Sequence, residues 1–208
     1  MKIKICGMKY PENIQEIAAL QPDYLGFIFY DKSPRFMLNE IPALEKPIAK
    51  VGVFVNATQP KIEAKARQYQ LEFIQLHGEE SPDFCRSLQQ LKLKVIKSFN
   101  IDKQFNFNIL EKYKNYCDYF LFDTKDQQYG GNGTVFDWKL LEQYHLPKPY
   151  FLSGGIGPES ISDLKDFLST AAAHYCYAID LNSRFETQPG QKNPETLKTF
   201  LKKIKEQL

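Results

Sequence analysis

The sequence predicts an α/β chain whose eight parallel strands close into a (β/α)8 barrel, the TIM-barrel architecture. Three observations predict it. Eight short apolar runs alternate with amphipathic stretches along the 208 residues. Those runs are near-continuous, as strands buried on both faces of a parallel sheet must be. An open doubly wound sheet usually stops at about five or six strands, so eight are expected to close.

KIKIC (2–6) opens as the first strand. PENIQEIAAL (11–20) reads as a helix with proline at its start, where a missing N–H does no harm. YLGFIFY (24–30) is the second strand, and a short helix is expected over 39–46. VGVFV (51–55) is the third strand, with a polar helix over 59–69 after it. EFIQLHG (72–78) is the fourth, and Ser81 then reads as an N-cap with Pro82 opening a helix to residue 90. The second half repeats the rhythm: strands LKVIKSF (93–99), YFLFD (119–123), PYFLSGG (149–155) and YCYAIDL (175–181), and helices over 107–116, 138–144, 158–168 and 194–207. No linker or low-complexity tract interrupts this, so residues 1–208 are expected to form a single (β/α)8-barrel domain. A chain of this size buries roughly 70% of its unfolded surface and needs neither disulfides nor metal to fold.

With 27 basic and 25 acidic residues the formal charge is +2, which argues against nucleic-acid binding. No apolar run approaches the length of a membrane span, and the start has no apolar signal region. The four cysteines, Cys6, Cys85, Cys117 and Cys176, form no CxxC pair, so reduced thiols and a cytoplasmic location are expected. His77, His145 and His174 do not cluster with cysteine or carboxylate at ligand spacing, so zinc or iron is not expected.

In such a barrel the active site lies at the C-terminal ends of the strands. That rule selects Cys6, residues 31–35, Asn56, residues 75–77, Ser98, Asp123, residues 153–155 and residues 180–183. In LSGGIGPES, Gly154 and Gly155 sit between a strand and a helix, where glycine lets the backbone approach an anion and the helix dipole favours one. Asn182, Ser183 and Arg184, after the last strand, add donors, and barrels often bind phosphate after strands seven and eight. The same glycines could simply make tight turns. Cys6 and Asp123 suit general acid–base chemistry, a thiolate taking a proton and a carboxylic acid giving one. Cysteine is also commonly a small buried hydrophobe, whereas a carboxylate ending an apolar strand is costly unless used or paired. Arg35 is either a bidentate carboxylate ligand or a solvated surface residue. His77 is a possible site wall or, slightly favoured, a satisfied core residue. The other three cysteines are expected to be packing on helices or in mid-strand.

Together these segments resemble the phosphoribosylanthranilate isomerase family over essentially the whole chain. KICGM (4–8), SPRF (33–36), VGVFVN (51–56), QLHG (75–78), FDTK (122–125), GGNGTVFDW (130–138), LSGGIGPES (152–160) and DLNSRFETQPGQKN (180–193) stand in the family's order. The resemblance implies tryptophan biosynthesis and an Amadori rearrangement. Cys6 would be the general base, Asp123 the general acid and Arg35 the ligand of the anthranilate carboxylate, with the last two segments on the phosphate. Asp123 would protonate the ribose ring oxygen, and Cys6 would take the C2 proton of the resulting iminium. The acid role requires a protonated Asp123, and the base role a thiolate at Cys6. The glycines at 130, 131 and 133 suit a mobile lid. The chain departs from the family where SSG-E becomes Asn182-Ser183-Arg184-Phe185-Glu186 and KD becomes Lys192-Asn193. Arg184 lacks glycine's freedom, and its N–H stays available only if φ there is negative. A monomer or homodimer acting on a small phosphosugar–anthranilate is expected. The alternatives are another phosphosugar isomerase of the same barrel type and a silent phosphate-binding barrel.

Overall fold

A computed structural model describes residues 1–44, 47–124 and 137–207. Its elements run β1 (Lys2–Ile5), α1 (Pro11–Ala19), β2 (Tyr24–Ile28), β3 (Ala49–Phe54), α2 (Gln59–Tyr69), β4 (Phe73–Leu76), α3 (Pro82–Leu88), β5 (Lys94–Ile101), β6 (Tyr119–Thr124), β7 (Tyr150–Leu152), α4 (Ile161–Leu168), β8 (Cys176–Leu181), β9 (Glu186–Gln188), β10 (Gln191–Lys192) and α5 (Pro194–Gln207). Strands β1 to β8 pair in sequence order and close on themselves. The closing seam is parallel like the others, with Lys4 opposite Asp180 and Ile5 opposite Leu181.

Successive residues of a strand face opposite ways, and the core accordingly divides in two. Leu25, Phe27, Ile74, Leu76, Phe120 and Leu152 join the large cluster beneath the helices. Tyr24, Val51, Ile96, Leu121, Phe151 and Ala178 form a separate cluster inside the barrel. Tyr24, Phe73, Tyr119, Phe151 and Tyr177 meet edge-on or tilted, with centroids 5.0–6.5 Å apart, and fill the end where the strands begin. Following the alternation upward, the inward face carries Lys4 and Cys6, Gln75 and His77, Asp123 and Asp180. Apolar residues thus plug one end and polar ones line the other.

Several expected helices differ. Residues 39–44 form no helix; Pro42 lies inside the stretch and Pro47 just beyond the expected helix, and residues 45–46 lie outside the described residues. Over 107–116 and 138–144 the chain makes the 3-10 turns Phe107–Lys112 and Trp138–Gln143, not α-helices. The helix after β7 starts at Ile161, three residues later than expected. Ser81 caps α3 as expected, its Oγ accepting from Phe84 N at 3.2 Å. The antiparallel β9–β10 hairpin was not foreseen.

Candidate active site

Cys6 follows β1 directly and is anchored by its N–H on Leu181 O at 2.8 Å. It is buried, with Lys4 below it on the same inward face. Lys4 Nζ lies 2.7 Å from Asp180 Oδ2, and both side chains are nearly inaccessible. Burial pushes the Cys6 thiol up, and the positive charges of Lys4 and Lys192 pull against that. Asp180 Oδ1 is buried without a hydrogen-bond partner among the described residues.

Asp123 sits across the mouth near the end of β6, its side chain 24% exposed. Thr124 N–H donates to Oδ1 at 2.9 Å. His77 Nε2 lies 3.4 Å from Oδ2, while Gln75 Nε2 meets His77 Nδ1 at 2.8 Å. An amide donor on Nδ1 selects the Nε2–H tautomer, which directs that N–H at Asp123. His77 is 19% exposed and lies beside Asp123, so its side chain is not fully enclosed in the core. The loop that carries it is pinned by Glu80, which accepts from Asn56 N and Gly78 N at 2.8 and 2.9 Å and pairs with buried Lys97 at 3.2 Å.

Arg35 is neither solvated nor free. It is 7% exposed, and its Nε and Nη2 grip Glu186 in a bidentate bond of 2.7–3.0 Å. Only Nη1 makes no hydrogen bond among the described residues. Lys192 approaches the same carboxylate, with Nζ 2.6 Å from Glu186 Oε1 and 2.7 Å from Asn182 Oδ1. The Asn182 carbonyl is therefore turned toward Lys192.

Gly154 and Gly155 both have positive φ, +90° and +69°. A Cβ at Gly154 would lie 2.7 Å from Thr124 N and 3.1 Å from Asp123 Oδ1, so this glycine makes room for the end of β6. It brings the loop after β7 against the proposed acid. Gly157 N–H is taken by Ser160 Oγ at 3.0 Å. After β8, Ser183–Phe185 form a 3-10 turn in which Arg184 keeps negative φ, so its N–H survives the loss of glycine. Its guanidinium pairs with Glu159, joining the two loops. The expected lid glycines at 130, 131 and 133, together with Lys125, lie outside the described residues. Cys85 lies in α3 and is buried; Cys117 precedes β6 rather than lying in mid-strand, and Cys176 opens β8. No group of three or more His, Cys, Asp or Glu side chains among the described residues could hold a metal ion.

A closed parallel barrel with a thiol and a carboxylate on the inward face at its C-terminal mouth has the build of a barrel enzyme. A family model described as N-(5'-phosphoribosyl)anthranilate (PRA) isomerase matches residues 3–203, and the chain belongs to that family. The relative from Parabacteroides distasonis is 43% identical over 98% of this chain and 93% of its own length. That from Phocaeicola vulgatus is 41% identical over the full length of both. Both are named N-(5'-phosphoribosyl)anthranilate isomerase. The crystal structure of phosphoribosyl anthranilate isomerase from Thermotoga maritima superposes with a TM-score of 0.83 at 32% identity, covering 99% of each chain. Another solved isomerase, in complex with reduced 1-(o-carboxyphenylamino)-1-deoxyribulose 5-phosphate, gives 0.80 at 30% identity and the same coverage.

Proposed function

We propose that this chain converts N-(5'-phosphoribosyl)anthranilate to 1-(2-carboxyphenylamino)-1-deoxyribulose 5-phosphate, in tryptophan biosynthesis, acting as one barrel domain. The observation that carries the reading is the placement of Cys6 and Asp123 on the inward face at opposite sides of one mouth, with the phosphate loops alongside. Thr124 N–H donates to Asp123 Oδ1 and His77 Nε2 approaches Oδ2, so both carboxyl oxygens are oriented at the mouth for a proton transfer. Protonating the ribose ring oxygen opens the ring to an iminium, whose C2–H is acidic without a metal. Cys6, ionised, removes that proton, and the enolamine tautomerises to the ketone.

Cys6 resists ionisation because it is buried, and its thiolate depends on the neighbouring cations. The substrate's phosphate sits among the N–H groups of Gly155, Ser183 and Arg184, with Gly154 setting the turn, Asn182 holding the start of the second loop, and the Arg184 side chain free to leave Glu159. Remote binding of this kind fixes the sugar between acid and base. The anthranilate carboxylate takes the remaining Nη1 of Arg35, and Asp180 Oδ1 accepts a substrate N–H or O–H. The enzyme acts as a monomer or homodimer in the cytoplasm, without a cofactor; no helix among the described residues is long and apolar enough to cross a membrane. Incubating the protein with N-(5'-phosphoribosyl)anthranilate should abolish the substrate's fluorescence at a catalytic rate. An inactive wild type would leave a silent phosphate-binding barrel as the better reading.

A further inference from the structure

Lys192 is 1% exposed and fixed at both its backbone and its side chain. Asn13, itself buried, holds its main chain from α1, accepting from Lys192 N at 2.8 Å and donating to Lys192 O at 2.9 Å. Its Nζ is held between Glu186 and Asn182. Asn182 is the residue after β8 and Cys6 the residue after β1, and Ile5 and Leu181 immediately before them are paired across the barrel seam. A Cβ on Gly7, next to Cys6, would lie 2.7 Å from Asn182 Oδ1 and 2.8 Å from Arg35 Cδ. The hairpin thus delivers its ammonium to the flank of Cys6.

The charges around that thiol do not balance. On β1, Lys4 is neutralised by Asp180 of β8. In the loop after β2, Arg35 is matched by Glu186 of β9. Lys192 of β10 shares that same carboxylate, so two cations face one anion and a positive charge is left over in a dry site. Across the mouth, Asp123 of β6 and His77 of β4 face each other. Burial lowers Lys192 to about 8 despite Glu186, as expected of a cation short of a counter-charge. Burial holds the Cys6 thiol up and Asp180 adds to that, while Lys4 and then Lys192 oppose them.

We propose that Lys192 is a positioning residue for Cys6, its ammonium supplying the charge against which the thiolate forms. The thiol proton leaves to solvent, and the thiolate that remains completes the charge pairing of the hairpin. The proposal rests on the reading of Cys6 as the base, and two separate readouts keep the two apart.

The test is a pH titration of thiolate absorbance in the full-length protein, with the matching Cys6→Ser protein subtracted to isolate Cys6, alongside the pH profile of kcat/KM. Lys192→Met should raise the Cys6 midpoint by about one unit or more and move the acid limb of kcat/KM with it. Lys192→Arg, which keeps the charge, should leave both in place. Glu186→Gln, which removes the competing anion, should lower the midpoint. A merely structural role would reduce the active fraction without moving the limb. Coincident midpoints for wild type and Lys192→Met, or equal shifts in the Met and Arg variants, would overturn the proposal. Should Lys192→Met fail to fold, an unchanged or raised midpoint in Glu186→Gln overturns it alone. Failure of the base assignment shows differently, as activity retained by Cys6→Ser whatever the titrations do.

Discussion

Arg35–Glu186 and Arg184–Glu159 are the same chemical pair at the same rim of the barrel, and Arg184 and Glu186 are only two residues apart in the chain. Their surroundings separate them. The first pair is bidentate, with side chains 8% and 5% exposed, and ties the loop after β2 to the β9–β10 hairpin. The second spans the loops after β7 and β8 with side chains 43% and 56% exposed. A buried pair must stay intact because either partner alone would be a desolvated charge. An exposed pair contributes little and can exchange partners at low cost. One pair therefore belongs to the frame, and the other is exposed enough to exchange its carboxylate for another anion.

The largest expected effect falls on the frame. Arg35→Met strands Glu186 with Lys192 alone and should cost about 3–5 kcal/mol in urea unfolding. A cost as small as that of a surface pair would break the distinction. The acid range should separate the pairs next. Burial works against the charge of Glu186, but Arg35 and Lys192 outweigh it and hold the carboxyl below its usual value of 4.5. A carboxyl depressed in the folded state contributes stability above its unfolded value and loses it as pH falls through the folded one. Stability should accordingly drop below pH 4.5, and Arg35→Met should flatten that drop in pH-dependent thermal melts.

Arg184→Met should change stability by no more than about 1 kcal/mol, while raising KM with kcat nearly unchanged, since it removes grip on a non-reacting group. The smallest effect is expected from Glu159→Gln. It frees the Arg184 cation, so inorganic phosphate should inhibit a few-fold more tightly at low salt, about 0.5–1 kcal/mol by the usual worth of an exposed pair. The gain should fade at high salt. No change at either salt would mean that Arg184 does not reach the phosphate.

The barrel was legible because eight buried strands leave eight apolar runs, a pattern that survives without knowledge of neighbours. The polar strand ends were legible for the same reason: Cys6 and Asp123 interrupt those runs. The helices failed where length ran short, as at Phe107–Lys112 and Trp138–Gln143, or where Pro42 and Pro47 intervened. Partnerships were the part that could not be read. His77 stands 46 residues from Asp123, and Arg35 stands 151 from Glu186; only barrel closure brings either pair together. Lys192 was visible merely as the residue before Asn193, because nothing local says that its side chain turns inward beside Cys6. Gly154 carried a signal with two meanings: its missing side chain read as room for an anion or as a tight turn, and the space it leaves is filled by the end of β6.

The central assignment is that Cys6 and Asp123 divide the proton transfers. Steady-state rates of Cys6→Ala and Asp123→Asn, followed by loss of substrate fluorescence in proteins with wild-type melting curves, test it most directly. The predicted result is a fall in kcat of at least about 100-fold for each. A near-wild-type rate in either variant would contradict it.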